Sequence, residues 1–151
     1  MALKLLKGVW FFSMFVALIV LLYVYAALPQ SVVVQEENGA VVSVSNDGFF
    51  YILMLLLVIT NVLTFIMAKL FKDAKDFRAW FYGLVASINL FFIIGMNLIS
   101  LYNSGERFEY ERIEFVIYGS LALIILWASV WPVFALFKKL NAKPSIGANS
   151  N

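Results

Sequence analysis

Residues 8–28 read GVWFFSMFVALIVLLYVYAAL, and this stretch decides the fold. It contains no charged side chain, and about 20 consecutive apolar residues are enough for a helix to cross a hydrocarbon core of roughly 30 Å. The apolar region of a signal peptide is shorter, at about 7 to 15 residues. We therefore predict that residues 8–28 form a membrane span rather than a cleaved leader.

Three further runs of the same kind follow this stretch. They contain no Asp, Glu, Lys or Arg and cover residues 49–68, 79–102 and 115–136. The chain of 151 residues is 64% hydrophobic and 13% charged, whereas soluble domains carry about 25% charged residues. The sequence therefore predicts an all-α membrane protein, a four-transmembrane-helix bundle. We expect one membrane domain over residues 1–140, with spans at about 8–28, 49–70, 79–102 and 113–137, and a disordered cytoplasmic tail over residues 141–151.

The charged residues are divided unevenly between the two sides of the predicted membrane. Nine of the 11 basic residues fall on the side of the termini: Lys4, Lys7, Lys69, Lys72, Lys75, Arg78, Lys138, Lys139 and Lys143. The joins on the opposite side hold Arg107, Arg112 and most of the acidic residues. Because cytoplasmic loops carry an excess of Lys and Arg, we predict that the N- and C-termini are cytoplasmic.

The join between the first and second runs has the pattern of a β-hairpin. Residues 31–35 and 40–45 are rich in valine and flank Asn38 and Gly39. Asn-Gly between two such segments favours a tight turn, because both turn residues must tolerate positive φ. We predict a small outer hairpin with strands over residues 32–37 and 40–45.

The second outer join, residues 103–114, carries a cluster of charges. Asn103 precedes Glu106 by three positions, which is typical of a helix cap, so we predict that the fourth helix begins near Ser104. Two interpretations of the cluster remain open: a solvated helix start, or a docking knob that uses Phe108 and Tyr110. Together with Asn38 and Gly39, these two residues form a candidate outer partner surface.

The four apolar runs contain no Asp, Glu, Lys or Arg, and the chain contains no histidine and no cysteine. Ionisable groups inside the membrane are the usual mark of proton relays and ion pathways. Zinc sites with Cys or His ligands, thiol redox chemistry and His-ligated haem are excluded as well. We predict no catalytic centre, no metal site and no cofactor.

We single out four of the polar residues inside the second and third spans: Asn61, Thr64, Asn89 and Asn97. They are candidates for interhelical polar contacts, since amides hydrogen-bond across helix interfaces in membranes. The competing interpretation is a ligand site, in which the same residues line a wet cavity. Small residues also allow close helix contact. They occur as the pair Gly83 and Ser87, and along one face of the fourth span at Gly119, Ala122, Ser129 and Pro132.

A family resemblance is found in the stretch that follows the first span. It consists of YAALP at residues 25–29, then Val32 to Val34, and then Asn38 and Gly39. This arrangement resembles poorly characterised bacterial multi-span membrane proteins, relatives of immunity and signalling proteins, with a Leu-Pro and Gly-turn outer stretch after the first helix. The chain lacks the second Pro and the His usual in that stretch. The resemblance implies an integral protein of a bacterial inner (plasma) membrane.

Two functions remain open. The first is a small membrane protein that acts through protein–protein contact, as an accessory subunit, scaffold or immunity-like factor. Its partners would be the lipid bilayer and other membrane protein subunits or further copies of itself, with no nucleic acid. The alternative is an oligomeric passive channel or carrier for a neutral or lipid-like solute. An enzyme would have to rely on the carboxylates of residues 106–114, and we rank it last.

Overall fold

The computed structural model describes residues 1–37, 40–105 and 110–141, with side chains except at 36–37 and 110–114. Its elements are, in chain order, α1 (Ala2–Ala27), β1 (Ser31–Glu37), β2 (Ala40–Ser45), α2 (Asn46–Leu70), α3 (Lys75–Asn103) and α4 (Tyr110–Asn141). Each of the four helices in this described part is long and apolar enough to cross a membrane. The predicted fold class, four membrane helices with a small hairpin between the first two, is confirmed.

The helices are longer than the predicted spans. α1 begins at Ala2 and so includes Lys4 and Lys7, and α3 begins at Lys75. The predicted limits followed the apolar residues alone, but a helix can continue into the interface, where charged side chains reach water. Asn141, the first residue of the predicted tail, is the last residue of α4. Residues 142–151, the rest of the predicted disordered tail, lie outside the described residues.

The helices pack around a central pair formed by α1 and α3. α2 contacts both members of this pair, whereas α4 contacts α3 alone among the described elements. Two apolar clusters mark opposite ends of the bundle. We call the first the hairpin end, where Leu21, Phe49 and Met96 meet Val32 of β1. The other is the basic end, where Trp10 and Tyr82 pack together.

The hairpin is antiparallel, and its strand bounds differ from the prediction only at Ser31. Ser31 pairs with Ser45 and Glu37 with Ala40, but the register shifts between Val33 and Gln35, so β1 has one extra residue. The predicted turn, Asn38 and Gly39, lies outside the described residues. Val32 is fully buried against the helix ends. That packing explains how a two-stranded sheet, which is marginal in isolation, can be held in place.

The predicted start of the fourth helix near Ser104 is wrong. Asn103 is the last residue of α3, and Ser104 is its C-cap. Gly105 follows with φ 73°, a left-handed conformation that ends helices and favours glycine. Of the predicted docking knob, Phe108 lies outside the described residues, and Tyr110 begins α4 with its side chain also outside them.

Candidate functional site

A cluster of hydrogen-bonded amides lies in the middle of the bundle. Asn61 Nδ2 donates to Asn89 Oδ1 at 3.1 Å, and Asn89 Nδ2 donates back to Asn61 Oδ1 at 3.2 Å. Asn61 is 6% exposed and Asn89 is fully buried. The two amides therefore join α2 to α3 at a depth where water cannot replace either partner.

The first helix completes the cluster with two residues that the sequence analysis did not single out. Trp10 Nε1 donates to Asn61 Oδ1 at 2.9 Å, and Ser13 Oγ accepts from Asn89 Nδ2 at 3.1 Å. Asn61 Nδ2 also donates to the Leu57 carbonyl at 2.8 Å. Asn61 thus makes the four hydrogen bonds open to an asparagine side chain. An amide engaged in this way binds helices together and has no free group for a solute.

Thr64 and Asn97 are not part of this cluster. Thr64 is fully buried, and its hydroxyl donates to the Thr60 carbonyl of its own helix at 2.9 Å. Asn97 is exposed, and its Nδ2 donates to the Ile93 carbonyl, again within its own helix, at 2.7 Å. Of the four candidates for interhelical polar contacts, the structure brings together Asn61 and Asn89 only.

Asn97 belongs to a face of α3 that no other helix covers among the described residues. Leu90, seven residues earlier and so on the same side of the helix, is 40% exposed. Asn97 lies six positions before the end of α3 at Asn103, which places it about 9 Å along the helix axis from that end. Its amide is therefore set in an apolar surface within the predicted span.

The attachment of α4 to α3 depends on a reciprocal tryptophan pair, Trp80 and Trp127. Trp80 Nε1 donates to the Trp127 carbonyl at 2.7 Å, and Trp127 Nε1 donates to the Trp80 carbonyl at 2.8 Å. Trp131 packs against Phe77 with ring centroids 5.2 Å apart. Gly83 makes this approach possible, because a Cβ at that position would overlap the indole ring of Trp127.

One face of α4 is exposed in the structure. Its small residues Gly119, Ala122, Ser129 and Pro132 are all exposed. A Cβ added at Gly119 would meet nothing within 4 Å. The sequence predicts close helix packing on this face, but within the described chain no helix packs against it.

No protein-family model, curated protein or solved structure matches the chain. The resemblance of the outer stretch to bacterial immunity and signalling relatives therefore stays a prediction. Within the described residues, no group of three or more His, Cys, Asp or Glu is placed to hold a metal ion.

The hairpin is fixed to the bundle by asparagines. Asn103 Oδ1 accepts from the Val33 backbone N–H at 2.8 Å, and Asn103 Nδ2 donates to the Val33 carbonyl at 3.0 Å. Asn46 Nδ2 donates to the Tyr25 carbonyl at 3.0 Å. The hairpin, part of the candidate outer partner surface, is thus held against the bundle. The sequence predicts a helix cap at Asn103, whereas the structure places it at the end of α3 with its side chain on Val33, a contact for which there is no local sequence signal.

Proposed function

We propose that the protein is a small accessory or scaffold subunit that acts through lateral contact with another membrane protein, with no catalytic centre. In this proposal it spans a bacterial plasma membrane four times with both termini in the cytoplasm, and an immunity-like factor is one form of the same function. The observation that carries the proposal is the exposed amide of Asn97 on an apolar helix surface.

An exposed amide is costly in hydrocarbon. An asparagine side chain can make four hydrogen bonds, and the bond to the Ile93 carbonyl uses one of its N–H groups. Lipid tails offer no donor or acceptor, so the remaining capacity is best satisfied by another protein. Such interhelical bonds contribute about 0.6 to 2 kcal/mol each in membranes.

The unused face of α4 supports the same conclusion. Close contact between membrane helices depends on small side chains, because the hydrophobic effect does not drive helices together inside lipid. Gly119 and Ala122 are exposed on α4, and they offer such a surface to a neighbouring helix. In contrast, the paired amides of Asn61 and Asn89 weigh against a passive channel, since their polar groups are already bonded to each other.

The test is crosslinking within the native membrane. A photo-reactive amino acid at Leu90, beside Asn97 on the exposed face of α3, should give one protein adduct of defined mass. The same probe at Leu55, which is 59% exposed on α2, is the matched control and should give lipid adducts only. Asn97→Leu should abolish the adduct at Leu90 while leaving the protein folded. The mass of the adduct separates a second copy of the chain from a different subunit.

Two results would contradict the proposal. Lipid adducts alone at Leu90 would mean that this face meets only the bilayer. Equal protein adducts at Leu90 and Leu55 would mean that the probe reports crowding rather than a specific surface.

A further inference from the structure

A groove lies at the basic end of the bundle, between α1 and α2. Its volume is about 710 Å³, and it is open on one side. The walls are mostly apolar and include Phe11 and Leu18 of α1 and Val58 and Phe65 of α2. These side chains are partly exposed, because no other helix in the described part of the chain covers them. A ligand in the groove would therefore need an apolar portion.

The groove has the length of one half of a bilayer. It extends along α1 from Lys7 to Leu18, which is about 16 Å at 1.5 Å per residue. The hydrocarbon core of a membrane is about 30 Å thick, so one leaflet contributes about half of that. The groove begins among charged residues at the interface and ends near the predicted midplane. An acyl chain entering from the interface would follow the same path.

Three cations from three different helices stand at the interfacial end of the groove. Lys7 comes from α1, Lys69 from the last turn of α2, and Arg78 from the first turns of α3. The acidic residues nearest in sequence, Asp73 and Asp76, are not among the lining residues. The open end of an apolar groove is thus positively charged.

The Arg78 side chain lines the groove and is partly buried. Its Nε is buried and has no hydrogen-bond partner among the described residues. Buried donors in folded proteins are almost always paired, and an unpaired one has to be accounted for. The protein covers this atom in the structure, so a phosphate in the groove would bind the terminal nitrogens of the guanidinium, which form strong, charge-assisted bonds with phosphates. It would reach Nε only if the side chain turned toward the groove.

We propose that this groove is a binding site for an anionic phospholipid. The phosphate binds Arg78, with Lys7 and Lys69 beside it, and one acyl chain packs along Phe11, Leu18 and Val58 of the groove wall. A free phosphate would leave the apolar walls empty, and a neutral lipid would leave the excess positive charge unmatched. The site is independent of the partner contact at Asn97, because it is formed by other residues.

Native mass spectrometry of the full chain tests this site. The protein is presented with phosphatidylglycerol and phosphatidylcholine that carry matched acyl chains, and the retained lipids are counted. The wild type should retain phosphatidylglycerol preferentially. Arg78→Gln should lower that retention about tenfold, equivalent to the loss of one strong charge-assisted bond. Lys139→Gln is the matched control: it removes a charge from the same end of the bundle but outside the groove, and it should change retention less than about twofold.

A second variant separates loss of the site from loss of the fold. Val62 lines the groove and is 50% exposed, so Val62→Trp can fill the groove without disturbing the buried core. It should displace phosphatidylglycerol while Arg78 and both lysines remain. Equal retention of the two lipids by the wild type would overturn the proposal. So would an equal loss in Arg78→Gln and Lys139→Gln, since that result indicates diffuse attraction to the basic surface. Undiminished binding by Val62→Trp would overturn the assignment of the groove.

Discussion

Asn89→Ala is expected to lower the free energy of unfolding by about 2 to 3 kcal/mol, the cost of removing one partner from a buried hydrogen-bonded pair. The substitution removes the bonds from Asn89 to Asn61 and Ser13. It also leaves part of the Asn61 amide without a partner in the interior of the bundle. Reversible unfolding in mixed detergent micelles, followed by tryptophan fluorescence, measures the loss.

The double variant Asn61→Ala with Asn89→Ala shows whether the two amides act together. The first substitution already leaves the remaining amide without its partner, so the second substitution does not incur that cost again. The two losses should therefore be less than additive, with a coupling energy of about 1 kcal/mol. Asn97→Ala is the control, because it makes the same chemical change in the same helix at an exposed residue, and its cost should stay below about 0.5 kcal/mol. A cost at Asn97 equal to that at Asn89 would contradict the assignment of the cluster as the bond between helices.

Gly83→Ala is expected to loosen α4 from the rest of the bundle. A Cβ at residue 83 would overlap the indole of Trp127, and moving that ring breaks its bond to the Trp80 carbonyl. We expect a destabilisation of about 2 to 4 kcal/mol, in the upper range for overpacking combined with a lost buried bond. Spin labels at Lys72→Cys and Lys139→Cys should show a broader distance distribution in this variant.

Gly95→Ala is the matched control for Gly83→Ala. Gly95 lies in the same helix, and a Cβ there would meet nothing within 4 Å. Alanine should therefore be neutral or stabilise the helix by up to about 1 kcal/mol. In a Trp127→Leu background, Gly83→Ala should cost much less, because the ring with which it overlaps is absent. A similar effect of both glycine substitutions, with an unchanged distance distribution, would show that the close approach of the two helices does not depend on Gly83.

The main features of the fold could be predicted from the sequence. Four charge-free runs can exist as helices only in hydrocarbon, and the valine-rich segments around Asn38 and Gly39 favour a hairpin. These signals are local, because each depends on residues adjacent in the chain. The extra residue in β1 near Val34 was not predicted, because its position depends on how Val32 and Val33 fit against the helix ends.

The contacts that form the sites were harder to predict. Asn61 and Asn89 could be selected as buried amides, but their links to Trp10 and Ser13 join residues 51 and 76 positions apart. No sequence spacing encodes such a pair. The pattern around Asn103 predicts a helix cap, but its partner in the structure is Val33, 70 positions away, which no local pattern indicates. Hydrogen bonds between residues of different helices are therefore visible only in the three-dimensional structure.

The proposed topology, with four membrane crossings, the hairpin outside and both termini in the cytoplasm, is tested most directly by cysteine labelling. The chain has no cysteine, so single cysteines can be introduced and labelled without background. Val42→Cys, on the exposed side of β2, should react with a membrane-impermeant maleimide in intact cells. Lys72→Cys and Lys139→Cys should react only after the membrane is permeabilised. Labelling of either lysine position in intact cells, or protection of Val42→Cys, would contradict this topology.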